Sequence, residues 1–201
     1  MSYPNLMPFQ ESPFNGDTYI ENEFIKLKNK FNINVAIETG SCLYSTSLWL
    51  ADNFEKVYTI EINDEYAKFG RHKIESLNNV HFEIGKSSEF LNKMLRFNIL
   101  SFDRCIFFLD AHWESHCPLL DELNEISHIK TLQPPVITIH DFYTGDEKLG
   151  YDCYDNKIFN LEYISKSIKT IEENLNCKYS YYYNTNAVNT FRGIIYLFPV
   201  L

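Results

Sequence analysis

The densest chemistry in the chain lies in two short segments: Asp110 and His112 in Asp110-Ala-His112-Trp113, and His140 and Asp141 in His140-Asp141-Phe142. Two carboxylates with one or two imidazoles can bind a hard divalent cation, which takes oxygen ligands and tolerates a nitrogen. The same set can instead move protons, because an imidazole with an unperturbed pKa of about 6.5 needs little tuning to act as a general base. Singly, each could be a helix-capping Asp or a hydrogen-bonded core His. Four together weigh against that.

A second group lies upstream. Glu38-Thr-Gly40-Ser41 opens a loop in which glycine lets backbone approach a ligand, and a carboxylate at Glu38 suits a cationic one. Glu61 follows about twenty residues later, where an acidic side chain can accept both hydroxyls of a ribose. A dinucleotide fingerprint needs G-x-G-x-x-G, and the later positions are Cys42 and Ser45, so an NAD-type site is disfavoured. Together Glu38, Gly40 and Glu61 point to an adenosine-containing ligand.

These residues need a scaffold that gathers them. Short apolar runs at 35–38, 57–61, 80–84, 105–110 and 136–140 alternate with helical patterns at 45–53, 64–77, 87–100 and 118–129. That order predicts a parallel sheet with helices on both faces. A helix over 160–174 leads into two strands, 178–184 and 193–198, whose connection of about eight residues leaves no room for a crossover, so they must pair antiparallel. The expected fold class is α/β, a mostly parallel seven-stranded sheet with a C-terminal antiparallel hairpin and its crevice at the carboxyl ends of the strands. Residues 1–16, with Pro4, Pro8, Pro13 and Gly16, read as an extended arm. Residues 17–201 read as one domain, with Asp17 capping a helix to about Lys30. The loop over 143–157 is longer than a connection requires and could form a substrate wall.

Composition narrows the partners. With 201 residues, Lys+Arg 18, Asp+Glu 27 and a formal charge of -9, the chain is expected to bind neither nucleic acid nor an anionic membrane. Aromatic residues make up 16%, which speaks for a packed globule. Cys42, Cys105, Cys117, Cys153 and Cys177 form no C-x-x-C pair and fit reduced thiols; with no secretion signal and no long apolar run, a soluble, cytoplasmic protein is expected. His116 and Cys117 read as structural, for want of a second ligand pair, and Trp113 as a lid or core residue.

The stretch Glu38-Thr-Gly-Ser-Cys-Leu-Tyr-Ser-Thr46 resembles the first motif of class I S-adenosylmethionine-dependent methyltransferases, and Thr59-Ile-Glu-Ile-Asn-Asp-Glu-Tyr-Ala67 the second. Gly85-Lys-Ser-Ser88 is similar to their adenine-contacting segment. Phe108-Leu-Asp-Ala-His-Trp113 and Ile139-His-Asp-Phe142 resemble the metal-bearing strand ends of small metal-dependent O-methyltransferases of the catechol and sugar type. Pro118-Leu-Leu-Asp-Glu-Leu123 and Leu149-Gly-Tyr-Asp152 resemble segments of methyltransferase-like proteins linked to surface glycan synthesis.

The resemblance implies a Rossmann-like methyltransferase fold and S-adenosyl-L-methionine as cofactor. It places Glu38, Gly40 and Ser41 at the methionine moiety, Glu61 at the ribose and Ser87 at the adenine, and counts Asp110 among the cofactor-binding residues. It makes Asp110, His140 and Asp141 ligands of Mg2+ or another divalent cation, and His112, with Asp110, catalytic. The implied reaction is methyl transfer to a hydroxyl of a small molecule, a sugar or glycan, with a homodimer left open. Three positions depart from the pattern: Tyr44 stands where a second Gly is usual and would narrow the cofactor's methionine end, Lys86 replaces a small or acidic residue, and His140 replaces an Asp. The rival expectation is a non-catalytic module that binds a glycan or protein partner with its cofactor site closed by Tyr44.

Overall fold

The computed structural model describes residues 11–112 and 117–200. Its main sheet has seven strands: β1 (Val35–Thr39), β2 (Lys56–Glu61), β3 (Val80–Ile84), β4 (Cys105–Leu109), β5 (Val136–Ile139), β8 (Tyr179–Tyr183) and β9 (Ile195–Pro199), in the order β3-β2-β1-β4-β5-β9-β8. The pairings among β1 to β5 are parallel, whereas β9 runs antiparallel to both β5 and β8. Every residue of β1, β4 and β5 is buried, as both-face coverage demands of central parallel strands. On one face Phe24 of α1 (Thr18–Phe31), Leu50 of α2 (Ser45–Asn53) and Ala67 of α3 (Asp64–Gly70) share a core. On the other, Leu91 of α4 (Ser87–Arg96), Leu123 of α5 (Leu119–Ile126) and Ile164 of α6 (Leu161–Asn174) do the same.

Register brings the chemistry to one edge. Thr39 pairs with Ile60 on one side and Leu109 on the other, and Leu109 with Ile139, so Gly40, Glu61, Asp110 and His140 all follow at the carboxyl ends. The order reverses between β1 and β4, the position at which open α/β sheets leave a crevice.

Several boundaries differ from the sequence expectation. α3 stops at Gly70, where a Cβ would lie 2.6 Å from the Leu43 carbonyl oxygen, and a 3-10 turn over Arg71–Lys73 replaces the helix expected to 77. Residues 13–16 are not extended: Pro13–Gly16 form a 3-10 turn that drives Phe14 into the core against Phe24, Trp49 and Phe108. The first ten residues of the expected arm lie outside the described ones. The long loop carries a small hairpin, β6 (Cys153–Tyr154) with β7 (Lys157–Ile158), closed by Asp155 and Asn156 with φ of 51° and 59°, the left-handed pair that a tight two-residue turn requires. Asp17 caps α1, its carboxylate accepting from the Tyr19 amide at 2.9 Å. No helix among the described residues is long and apolar enough to cross a membrane.

Candidate functional site

A crevice of about 1020 Å³ opens over the carboxyl ends of the central strands, and all nine residues expected at the site line it: Glu38, Gly40, Ser41, Glu61, Ser87, Asp110, His112, His140 and Asp141. Its β1–β2 half is built around two buried carboxylates. Glu38 Oε2 accepts from Thr59 Oγ1 at 2.7 Å and from Ser47 Oγ. Burial pushes its carboxyl up to about 7, although the two hydroxyls stabilise the charge. A group whose folded pKa lies above its unfolded value of 4.5 takes up a proton on folding, so its contribution to stability is lost as pH rises from 4.5 through about 7. Glu38→Gln should therefore gain on the wild type by on the order of 2 kcal/mol between pH 5 and pH 8. Urea unfolding of both proteins at the two pH values measures it, and parallel pH profiles would refute it.

Glu61 is held at both oxygens by backbone: Oε2 accepts from the Cys42 amide at 2.6 Å and Oε1 from the Asn63 amide at 2.7 Å. Burial raises its pKa against the pull of these amides. The Ile62 amide also bonds the carboxylate, which keeps acceptor capacity for a ligand hydroxyl. Gly40, at φ 82°, lies so close to β4 that a Cβ would meet the Asp110 carbonyl oxygen at 2.2 Å. Ser41 Oγ pairs with Thr59 Oγ1 at 2.6 Å. Ser87 begins α4, beside the buried Glu122 carboxyl.

Tyr44 does not narrow the crevice. Its side chain is buried away from it in the helical core, with the ring 6.1 Å from Phe82, because a left-handed backbone at φ 58° turns the residue inward at the start of α2. Lys86 is exposed and pairs with Glu89 of its own helix. Cys117 Sγ lies 3.7 Å from Tyr163 Oη, in keeping with a structural role. Trp113 and His116 lie outside the described residues.

The β4–β5 half gathers the four residues of the two short segments. His112 is buried edge-on against Phe159, and its Nε2 stands 3.2 Å from Asp141 Oδ2 and 3.9 Å from Asp110 Oδ1. His140 Nδ1 sits 3.3 Å from Asp110 Oδ1 and 3.2 Å from Asp141 Oδ1. Burial disfavours charge on both imidazoles, but the carboxylates outweigh it and raise their pKa values, that of His140 well above the usual range. Asp141 moves the other way, held well below the usual carboxylate range against burial by the two imidazoles. The donor atoms that lie within 4.8 Å of one another belong to Asp110, His112 and Asp141. His112, expected from the sequence as the base, belongs to this group, while His140, expected there as a ligand, has its Nδ1 beside Oδ1 of both carboxylates.

Sequence reasoning missed Arg192. Its Nε donates to Asp141 Oδ1 and its Nη2 to Asp152 Oδ1, tying the centre to the long loop. It is the only charged residue after Lys178, a signal that could have drawn attention to the β8–β9 loop. Asn15, Asn189 and Thr190 also line the crevice.

The chain matches no protein-family model and no curated protein by sequence. Solved structures are similar to it in fold. An O-methyltransferase from Bacillus cereus in complex with SAH shares 15% identity over 100% of this chain and 84% of that one, with a TM-score of 0.64. A putative O-methyltransferase from Klebsiella pneumoniae gives 10%, 100%, 84% and 0.61 for the same quantities. A putative methyltransferase from Streptococcus mutans, also in complex with SAH, gives 16%, 88%, 97% and 0.52. The likeness is one of fold: the chain has the Rossmann-like fold of the class I S-adenosylmethionine-dependent methyltransferases.

Proposed function

We propose that the chain transfers the methyl group of S-adenosylmethionine to a hydroxyl of a small polyhydroxylated acceptor, a sugar or glycan. The observation that carries this reading is one crevice joining a Glu38–Gly40–Glu61 end suited to a sulfonium nucleoside with a His112–Asp110–Asp141 end suited to taking a proton. Glu38 offers charge to the cationic cofactor, and Glu61 an acceptor to its ribose. The acceptor oxygen attacks the methyl carbon, the S–CH3 bond breaks with its electron pair left on sulfur, and the hydroxyl proton passes to the His112 ring nitrogen that is not engaged with Asp141, Nε2–H donating to Asp141 Oδ2. Asp141 and Asp110 then stabilise the imidazolium. Holding oxygen, carbon and sulfur in line contributes about 7–11 kcal/mol in favourable cases. The sugar assignment is supported by Asn15, Asn189, Thr190 and Asp152, polar residues of the crevice wall whose amide, hydroxyl and carboxylate groups suit vicinal hydroxyls.

A second reading of the same centre has a divalent cation such as Mg2+ on Asp110, His112 and Asp141, favoured by their mutual proximity but opposed by Arg192, which already bridges Asp141 and Asp152. Such an ion lowers the pKa of an oxygen bound to it. The binding-module reading, in contrast, loses its motive with Tyr44 outside the crevice.

The test is thermal stabilisation by S-adenosylhomocysteine (SAH). At 100 times its Kd a ligand adds about 2.7 kcal/mol, and no shift at millimolar concentration would sink the proposal. Glu61→Gln should weaken that binding about ten- to a hundredfold, since it removes charge from the ribose hydrogen bonds and sets an NH2 against the Cys42 or Asn63 amide. Calorimetry on the pair measures it.

A further inference from the structure

We infer that Arg192 is the resident cation of the acceptor centre and keeps a divalent metal ion out of it. The inference rests on the proposed function only in taking Asp110, His112 and Asp141 as the acceptor end of the site.

Three carboxylates, Asp110, Asp141 and Asp152, converge there, and Arg192 is the one Lys or Arg among the described residues lining the crevice. One edge of its guanidinium bridges Asp141 Oδ1 and Asp152 Oδ1, a planar two-point contact that an ammonium cannot reproduce. Asp141 Oδ1 is also 3.2 Å from His140 Nδ1, so only Oδ2, which His112 shares at 3.2 Å, remains for an ion.

The guanidinium is fixed at its root. The Gly150 amide donates to the Phe191 carbonyl at 2.7 Å, the Gly193 amide to the Gly150 carbonyl at 2.8 Å, and the Phe142 amide to the Gly193 carbonyl at 2.8 Å. Asp141 and Asp152 are likewise joined, the Asp152 amide donating to the Asp141 carbonyl at 2.9 Å. A Cβ on Gly150 would stand 2.9 Å from Arg192 Nη1, so backbone packs behind the head group as well. An ion among Asp110, His112 and Asp141 would share Asp141 with this fixed positive charge, and a guanidinium cannot shed its proton to make room.

Mn2+ titration of tag-free protein, read by calorimetry and by loss of the free-ion EPR signal, tests this without an acceptor. Wild type should show no saturable binding up to about 1 mM, and Arg192→Gln should bind at least about tenfold more tightly. Arg192→Lys, which keeps the charge but loses the two-point contact, should gain less than Arg192→Gln, and adding Asp110→Asn to Arg192→Gln should abolish the gain. Saturable wild-type binding at micromolar Mn2+ overturns the inference, as does an Arg192→Gln protein that is folded by circular dichroism yet gains nothing. Should Arg192→Gln not fold, the wild-type titration decides alone. Failure of SAH to stabilise the wild type counts against the methyltransferase reading and leaves the Mn2+ result standing.

Discussion

His112→Ala is expected to lower methyl transfer by about 10²–10⁴-fold, the usual worth of a positioned proton acceptor, while leaving SAH binding within about twofold. The two halves of this expectation follow from where the side chain sits. Its Nε2 faces Asp141 and Asp110 in the β4–β5 half of the crevice, and none of the hydrogen bonds that hold Glu38, Glu61 or the Gly40 loop passes through it. Truncation also opens a hole beside Phe159 and Tyr154, so the variant should lose on the order of 2–3 kcal/mol of stability. His112→Asn separates the two effects, because it fills part of the space without restoring a base. The measurement is the rate at which an acceptor gains the mass of one methyl, beside SAH calorimetry on the same protein. Turnover of both variants within about tenfold of wild type would remove His112 from the mechanism.

The acceptor centre also explains an oddity of the backbone. Asp141 has a φ of 57°, a region that costs a non-glycine residue about 1–3 kcal/mol unless its surroundings hold it there. Here they do: Arg192 fixes one carboxylate oxygen, His112 meets the other, and the Asp141 carbonyl accepts from the Asp152 amide. The strain lies beside the groups to which the chemistry is assigned, and it aims Oδ2 at the imidazole.

Much of this was legible from the residues. Runs such as Val35–Thr39 and Cys105–Leu109 are apolar on both faces because both faces are covered, and an alternating parallel order sends every carboxyl end to one edge. Knowing where strands end is therefore enough to gather Glu38, Glu61, Asp110 and His140. Features decided by contacts distant in sequence were not legible. Arg192 reaches Asp141 across 51 positions, and Phe14 is anchored by a bond from its amide to Thr46 Oγ1, 32 positions away. Local pattern carries no trace of the Phe14 anchor and marks Arg192 only as an isolated charge after Lys178, without its partner. The helices expected to 77 and 100 overran for a related reason: apolar spacing continues past Gly70 and Arg96, but the chain turns there, at Gly70 against the Leu43 backbone. Tyr44 was misjudged because its alignment with a glycine says nothing about direction, which a left-handed φ decided.

Gly40→Ala should destabilise the protein by on the order of 3 kcal/mol and weaken SAH binding about a hundredfold. Two costs combine. The added Cβ must adopt φ 82°, and it would stand 2.2 Å from the Asp110 carbonyl oxygen, where rigid backbone and not a mobile side chain must give way. Relief can come only by parting the β1 loop from β4. That movement carries Ser41 and the Cys42 amide with it, and so loosens the bond that orients Glu61 toward a ribose. Gly145→Ala is the matching control, since Gly145 has a similar φ of 87° and an added Cβ there would meet nothing within 4 Å. It should cost about 1 kcal/mol and leave SAH binding intact. Urea unfolding at constant m, with SAH calorimetry on both variants, reads the difference. Equal losses for the two substitutions would mean that strain alone acts at Gly40, and that the close approach of β1 and β4 does not shape the cofactor end of the crevice.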